Sequence, residues 1–249
     1  MNKCLLVSGW ACPDELLHPL AENLAGVCEC STYAFDALPD MSSPDKEYTA
    51  EVSEYARGLL KLLKDITEPV VLIGWSAGGL AVIESVLTCK DKVKALVLIN
   101  STARFCASPD YTHGWPLSVV RAMSIGLKKD PAAVLARFFL DAAYPDSELS
   151  SALQRVIDDA RNISAAVLQQ GLRYLQRVDM LERLDMIGLP VLVIHAEEDR
   201  IIPVEAGRCL AEGIAGASMT RISGRGHDMP VRHHEELSIY IKDFLSKLD

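Results

Sequence analysis

The chain has 249 residues, 49% of them apolar, and a formal net charge of −9. That length and apolar fraction suit one domain with an insertion around a sizeable core, and the acidic balance argues against nucleic acid as a partner. No stretch reaches the roughly 18 apolar residues of a membrane span. The opening apolar run is too short for a signal peptide, and seven scattered cysteines fit a cytoplasmic, reducing setting better than a disulfide framework.

Residues 3–8 read as a first strand that runs directly into Gly9-Trp10. Residues 14–24 place Leu16, Leu20 and Leu24 on one helical face, with Gly26 as the stop. Residues 27–35 read as a second strand; Cys28-x-Cys30 within it lacks zinc-site spacing, and Cys30 reads as small apolar filler. Ser43-Pro44 has the cap and first-turn chemistry of a helix start, and Tyr48, Val52, Tyr55, Leu59 and Leu62 follow at helical spacing. Residues 70–73 are an unbroken apolar third strand, and residues 80–87 are helix-like. Residues 93–99, 190–194 and 219–222 supply strands four to six, and helices over 204–213 and 234–247 follow the last two. This alternation implies an α/β fold with a doubly wound parallel sheet covered on both faces, with ligands bound at the carboxyl ends of its strands.

Residues 103–188 break the alternation. They are largely helix-like and interrupt the sheet between its fourth and fifth strands, so the expected division is a core of 1–102 and 189–249 with a helical lid of 103–188. The lid segment holds ten basic and ten acidic residues and is neutral, which makes it relatively positive beside a body that carries the whole −9.

Gly74-Trp75-Ser76-Ala77-Gly78-Gly79 joins the third strand to a helix. A strand that turns sharply into a helix with serine at its apex is a nucleophile elbow, and a β-carbon at position 74 or 78 is expected to collide across so tight a turn. Two partners follow in the order this chemistry requires. Asp199 comes after the fifth strand, just before Ile201-Ile202-Pro203, and His227 lies in the glycine-rich loop after the sixth. Glu197 and Glu198 stand at the wrong spacing to be the acid, His195 reads as a structural histidine, and Asp228 as a loop-capping carboxylate. Neither cofactor nor metal is expected.

With these motifs, the chain resembles the α/β-hydrolases over essentially its full length. Within them it is similar to the pimeloyl-[acyl-carrier protein] methyl ester esterases of biotin synthesis. That narrower likeness rests on Gly9-Trp10, on Trp75 and Gly79 around the elbow, on Asn100-Ser101 running to Trp115-Pro116, on Arg137-Phe138-Phe139-Leu140, and on the run from Gly171-Leu172 through Asp179 to Leu184. The resemblance implies a sheet of about six parallel strands without the N-terminal strand pair usual in the fold. It implies an oxyanion hole from the backbone N–H groups of Trp10 and Ala77. It implies substrate contacts at Trp10, Trp75, Phe138, Phe139, Leu140, Asp141 and Ala142, and docking of an acyl-carrier protein at Arg137, with Arg155 and Arg161 as regional candidates. One departure stands out: where the family has His-Gly-Trp, this chain has Ser8-Gly9-Trp10.

The reaction implied is hydrolysis of an acyl methyl ester through an acyl-enzyme on Ser76. A C–C bond hydrolase or a menaquinone-pathway lyase uses the same triad and stays open, as does a non-catalytic ligand receptor on the same fold. Arginines turned into the site would favour the first two.

Overall fold

The computed structural model describes residues 2–40 and 52–248, apart from the side chain of Arg161. Six strands form one sheet: β1 (Asn2–Val7), β2 (Cys28–Tyr33), β3 (Val70–Trp75), β4 (Val93–Ile99), β5 (Val191–Ala196) and β6 (Ser218–Ile222). Their spatial order is β2-β1-β3-β4-β5-β6, and every pairing is parallel. The burial of each strand follows its composition. All of β3 and β5 is buried, and both are apolar throughout apart from His195 and the backbone-constrained Gly74, as expected for strands covered on two faces. The edge strands β2 (CECSTY) and β6 (SMTRI) are mixed in polarity and largely half-exposed, which discourages further strand addition.

The helices are α1 (His18–Leu24), α2 (Glu54–Lys64), α3 (Ala77–Val86), α4 (Leu117–Gly126), α5 (Pro131–Ala143), α6 (Ser151–Asp158), α7 (Ala165–Arg177), α8 (Val204–Gly213), α9 (Met229–Arg232) and α10 (His234–Leu245). From β1 the chain steps outward to β2 and then returns past β1 to β3, so the winding direction reverses between β1 and β3. The crevice at the carboxyl end of such a switch point is where doubly wound sheets bind ligands. Gly9-Trp10 and Ser76 are the residues that emerge there. No helix among the described residues is long and apolar enough to cross a membrane.

Local chemistry shifts several boundaries from their expected places. The single helix expected over 14–24 is a 3-10 turn, Asp14–Leu17, followed by α1, because Pro19 sits in the first turn of α1 and lacks the N–H that a continuous α-helix would use. The second strand stops at Tyr33; Phe35 opens a 3-10 turn and stacks on Tyr55 with ring centroids 4.2 Å apart. The expected start at Ser43-Pro44, with Tyr48, lies outside the described residues. Within them, α2 begins at Glu54, with Ser53 as the cap that accepts from the Ala56 N–H, and Val52 precedes the helix. Its fully buried stripe runs through Tyr55, Leu59 and Leu63, while Leu62 is half-buried.

Residues 103–188 hold α4 to α7 between β4 and β5. Their two ends are tied together at the base, where Ala103 O accepts from the Met180 N–H at 2.9 Å and Arg104 pairs with Asp179 at 2.9 Å. Glu84 of α3 binds this segment to the core. Its carboxylate accepts from Ser53 N at 2.7 Å, Ser53 Oγ at 2.6 Å and the Tyr174 hydroxyl of α7 at 3.2 Å. Burial raises the pKa of Glu84, and these donors pull it back. Truncation would strand a backbone N–H and a buried phenol. Glu84→Ala is therefore expected to cost about 3 kcal/mol in urea unfolding, with Glu84→Gln losing less because it keeps an acceptor.

Candidate active site

Ser76 occupies the residue between β3 and α3, at φ 56° and ψ −121°. A residue with a β-carbon rarely takes that conformation, and neighbours at several points hold it. The Ser76 N–H donates to Ile99 O at 2.9 Å, and Ser76 O accepts from Gly79 N at 3.0 Å and from Ser101 Oγ at 2.9 Å. The glycines permit the close approach. A β-carbon on Gly74 would lie 2.5 Å from the Gly79 Cα, across the turn as expected. One on Gly78 would instead strike the carbonyls of Val7 and Ser8 at the end of β1, so that glycine serves strand–helix packing rather than the turn itself.

The three residues expected to act together meet at hydrogen-bond distance. Ser76 Oγ lies 2.9 Å from His227 Nε2, and His227 Nδ1 lies 2.7 Å from Asp199 Oδ2. A carboxylate only accepts, so Nδ1 carries the proton and Nε2 is free to take one from the serine. The other oxygen of Asp199 accepts from Ile201 N at 2.7 Å and Ile202 N at 2.8 Å. That pairing explains why an apolar pair follows the acid: the turn's amides hold the carboxylate, while the side chains enter the core. All three residues are buried.

The histidine loop is fixed from several sides. Asn100, at φ 45°, donates from Nδ2 to Gly226 O and His227 O at 3.0 Å each, and its Oδ1 accepts from Ala196 N at 2.8 Å. Trp75 Nε1 donates to the same His227 carbonyl at 3.0 Å. Glu198 accepts from Gly224 N at 2.7 Å and Arg225 N at 3.1 Å, and Glu197 pairs with Arg221 at 3.6 Å. His195 donates to Ile202 O at 2.8 Å, and burial lowers its pKa. Asp228 sits where a capping residue would, but its side chain caps nothing. It pairs with Arg232 at 2.8 Å instead, and burial pushes it up to about 6.

The loop after β1 lies against the serine. A β-carbon on Gly9 would come within 3.1 Å of Ser76 Cβ, and Ala11 sits at φ 58°. Ser8, in the place of the expected family histidine, is fully buried. Its hydroxyl donates to Cys12 O and accepts from Phe35 N at 3.2 Å, so it ties the Trp10 loop to the segment after β2. Asp36 adds a second tie by accepting from Ala11 N at 2.7 Å. Sequence reasoning missed both ties. The partners of both side chains are backbone groups, which leave no residue-type signal.

The pocket over Ser76 is lined by Trp10, Trp75, Phe138, Phe139, Ala142 and Leu153, with Gly9, Cys12, His227 and Asp228. Residues 138, 139 and 142 share one face of α5. Leu140 and Asp141, also expected at the site, do not join them. Leu140 is 48% exposed, and Asp141 pairs with Arg137 at 3.0 Å in a neighbouring groove lined by Trp115, Val119, Met123, Val134 and Phe138. Arg155 lines a different groove, beside Glu15, Asp36 and Asp159. The structure therefore does not gather Arg137 and Arg155 into one cluster, and the Arg161 side chain is outside the described residues. Leu153, contributed by α6, was not foreseen.

A profile of the Alpha/beta hydrolase family matches residues 4–238. Among curated proteins, the chain is 30% identical over 248 residues to the pimeloyl-[acyl-carrier protein] methyl ester esterase of Aromatoleum aromaticum, covering 96% of each chain. It is 27% identical to the protein of the same name from Stenotrophomonas maltophilia, covering 98% of this chain and 93% of that one. Among solved structures, it superposes on a bromoperoxidase from Bacillus anthracis with a TM-score of 0.86 and 22% identity, over 98% of this chain and 92% of that one. An esterase from Exiguobacterium antarcticum gives 0.84 and 17%, over 99% and 92%. At such identities the structural likeness speaks for the fold.

Burial pushes Asp36 up to about 7, the Ala11 N–H offsetting part of the rise. An unfolded aspartate titrates near ~4. The folded chain thus holds this proton more tightly than the unfolded one, and the group's contribution to stability falls as pH rises from ~4 to about 7. Asp36→Asn, which keeps an acceptor for Ala11, is expected to melt above the wild type at pH ~8, with the gap closing toward pH ~4. Parallel melting profiles across that range would contradict the assignment.

Proposed function

The chain belongs to the alpha/beta hydrolase family, and we propose that it is a serine carboxylesterase working through an acyl-enzyme. The observation that carries this reading is the continuous relay Ser76–His227–Asp199 at the switch point of the sheet. His227 Nε2 takes the Ser76 proton as Oγ attacks the ester carbonyl. The negative charge that develops on the carbonyl oxygen falls to the backbone N–H groups of Trp10 and Ala77, each worth about 3 kcal/mol of barrier, with the N-terminus of α3 adding its dipole. His227 then gives its proton to the departing alcohol. Water attacks the acyl-serine, losing its own proton to His227, and the acid leaves with Ser76 restored. Asp199 holds the imidazole in the required tautomer and offsets its positive charge.

Residues 103–188 act in this reading as a lid, and the pocket it helps close receives the acyl chain. Its lining is mostly apolar and aromatic, with Ser76, His227 and Asp228 as the polar side chains of the relay and its loop. Among the described residues lining it there is no arginine or lysine. That favours an ester over the carboxylate-rich substrate that a lyase or C–C hydrolase on the same triad would hold with inward arginines. The names of the relatives support a pimeloyl-[acyl-carrier protein] methyl ester as substrate. The carrier would then dock at the lid surface, where Arg137 is exposed.

A fluorophosphonate probe is expected to label the wild type and not Ser76→Ala, whose ester hydrolysis should fall by roughly 10⁴-fold or more. Equal labelling of both proteins would end the nucleophile assignment. A panel of free and carrier-bound methyl esters tests the narrower reading. Preferential cleavage of the pimeloyl carrier ester supports it; hydrolysis of short aryl esters with none of the carrier ester would leave an esterase of another pathway.

A further inference from the structure

Three thiols converge at the β1–β2 edge, away from the relay. Cys4 stands opposite Cys30 in the parallel register, and Cys28, two residues earlier on β2, projects from the same face. Their Sγ atoms all lie within 4.8 Å of one another, with Cys28 and Cys30 3.4 Å apart. Cys4 and Cys28 are buried, whereas Cys30 is partly exposed and gives the cluster an opening to solvent. Five steps along the chain take Cys4 to Gly9, roughly 16 Å at the usual rise, so the cluster and the serine do not share a site.

The three sulfurs form one contact group, and Cys28 Sγ also donates to Leu24 O at 3.6 Å. An internal Cys28–Cys30 disulfide is poorly placed, because two steps of extended chain put the Cα atoms about 6.6 Å apart, near the limit for bridging.

We propose that Cys4, Cys28 and Cys30 form a binding site for monovalent copper, held by three thiolates in a trigonal arrangement. Soft thiolate donors select soft ions. Structural zinc takes four ligands in a closed tetrahedron, and among the described residues no histidine, carboxylate or further cysteine joins these three. Binding displaces the thiol protons to solvent, and no change of oxidation state is involved. The sequence pattern hides the site: Cys28-x-Cys30 supplies two ligands, and the third arrives from position 4 only through strand pairing.

The full chain, reduced and under anaerobic conditions, is titrated with Cu(I) against the chromogenic chelator bicinchoninate. The expected result is one retained equivalent with an ultraviolet thiolate-to-copper absorption, and a higher melting temperature when loaded. Cys4→Ser and Cys30→Ser should each weaken retention by about tenfold or more, while a Cys89→Ser/Cys209→Ser double variant matches the wild type. A wild type that yields its copper as readily as the Cys4/Cys28/Cys30→Ser triple variant overturns the proposal. So does preferential retention of zinc under the same competition. Should a serine variant fail to fold, X-ray absorption of the copper-loaded wild type counts the ligands directly: three sulfurs agree, and two sulfurs or any nitrogen do not.

Discussion

The left-handed backbone at Ser76 is the constraint around which the molecule is arranged. At φ 56° and ψ −121° the residue is strained, and such strain persists only where the surroundings over-determine it. Here they do. Ile99, Gly79 and Ser101 hold its peptide groups, and the absence of β-carbons at Gly74 and Gly78 lets α3 press against both its own strand and the end of β1. The outcome is a serine hydroxyl raised at the carboxyl edge of the sheet, in reach of a histidine more than 150 residues distant in sequence.

A second theme is the number of carboxylates kept from water and the different means used to satisfy them. Asp199 is held by two amides and an imidazole, and Glu84 by a backbone amide and two hydroxyls. Asp36 has one amide and an oxygen with no partner, and Asp228 has Arg232 and likewise an oxygen without a partner. Burial pushes the two with orphaned oxygens up to about 7 and about 6, and each borders a cavity: Asp36 the groove it shares with Arg155, Asp228 the pocket over Ser76.

Much of this was legible in the residues alone, because the determinants are local. Apolar runs of four to seven residues marked the central strands, Gly-x-Ser-x-Gly marked the turn, and Asp199 and His227 came in order after later strands. What stayed hidden depends on through-space geometry. The spacing of Phe138 to Ala142 says that three of five residues share a helical face, but not which face meets the serine; Leu140 and Asp141 fell on the other side. Leu153 is unremarkable until α6 is placed against α5. Ser8 stands where the resemblance implies a histidine, and its hydroxyl bridges two loops that only folding brings together. Pro19 carried a readable signal, a missing N–H within an otherwise helical stretch, and the leucine periodicity over 14–24 obscured it.

The indole of Trp10 donates to Leu168 O of α7 at 2.8 Å, while its ring meets Phe138 of α5 edge-on at 5.1 Å. A residue at the end of β1 is thereby fastened to two helices of the insertion. Any displacement of those helices that admits a bulky ligand must break this bond or drag the Trp10 peptide away from the serine. The position of those helices and the seating of the β1 loop are thereby coupled through one indole.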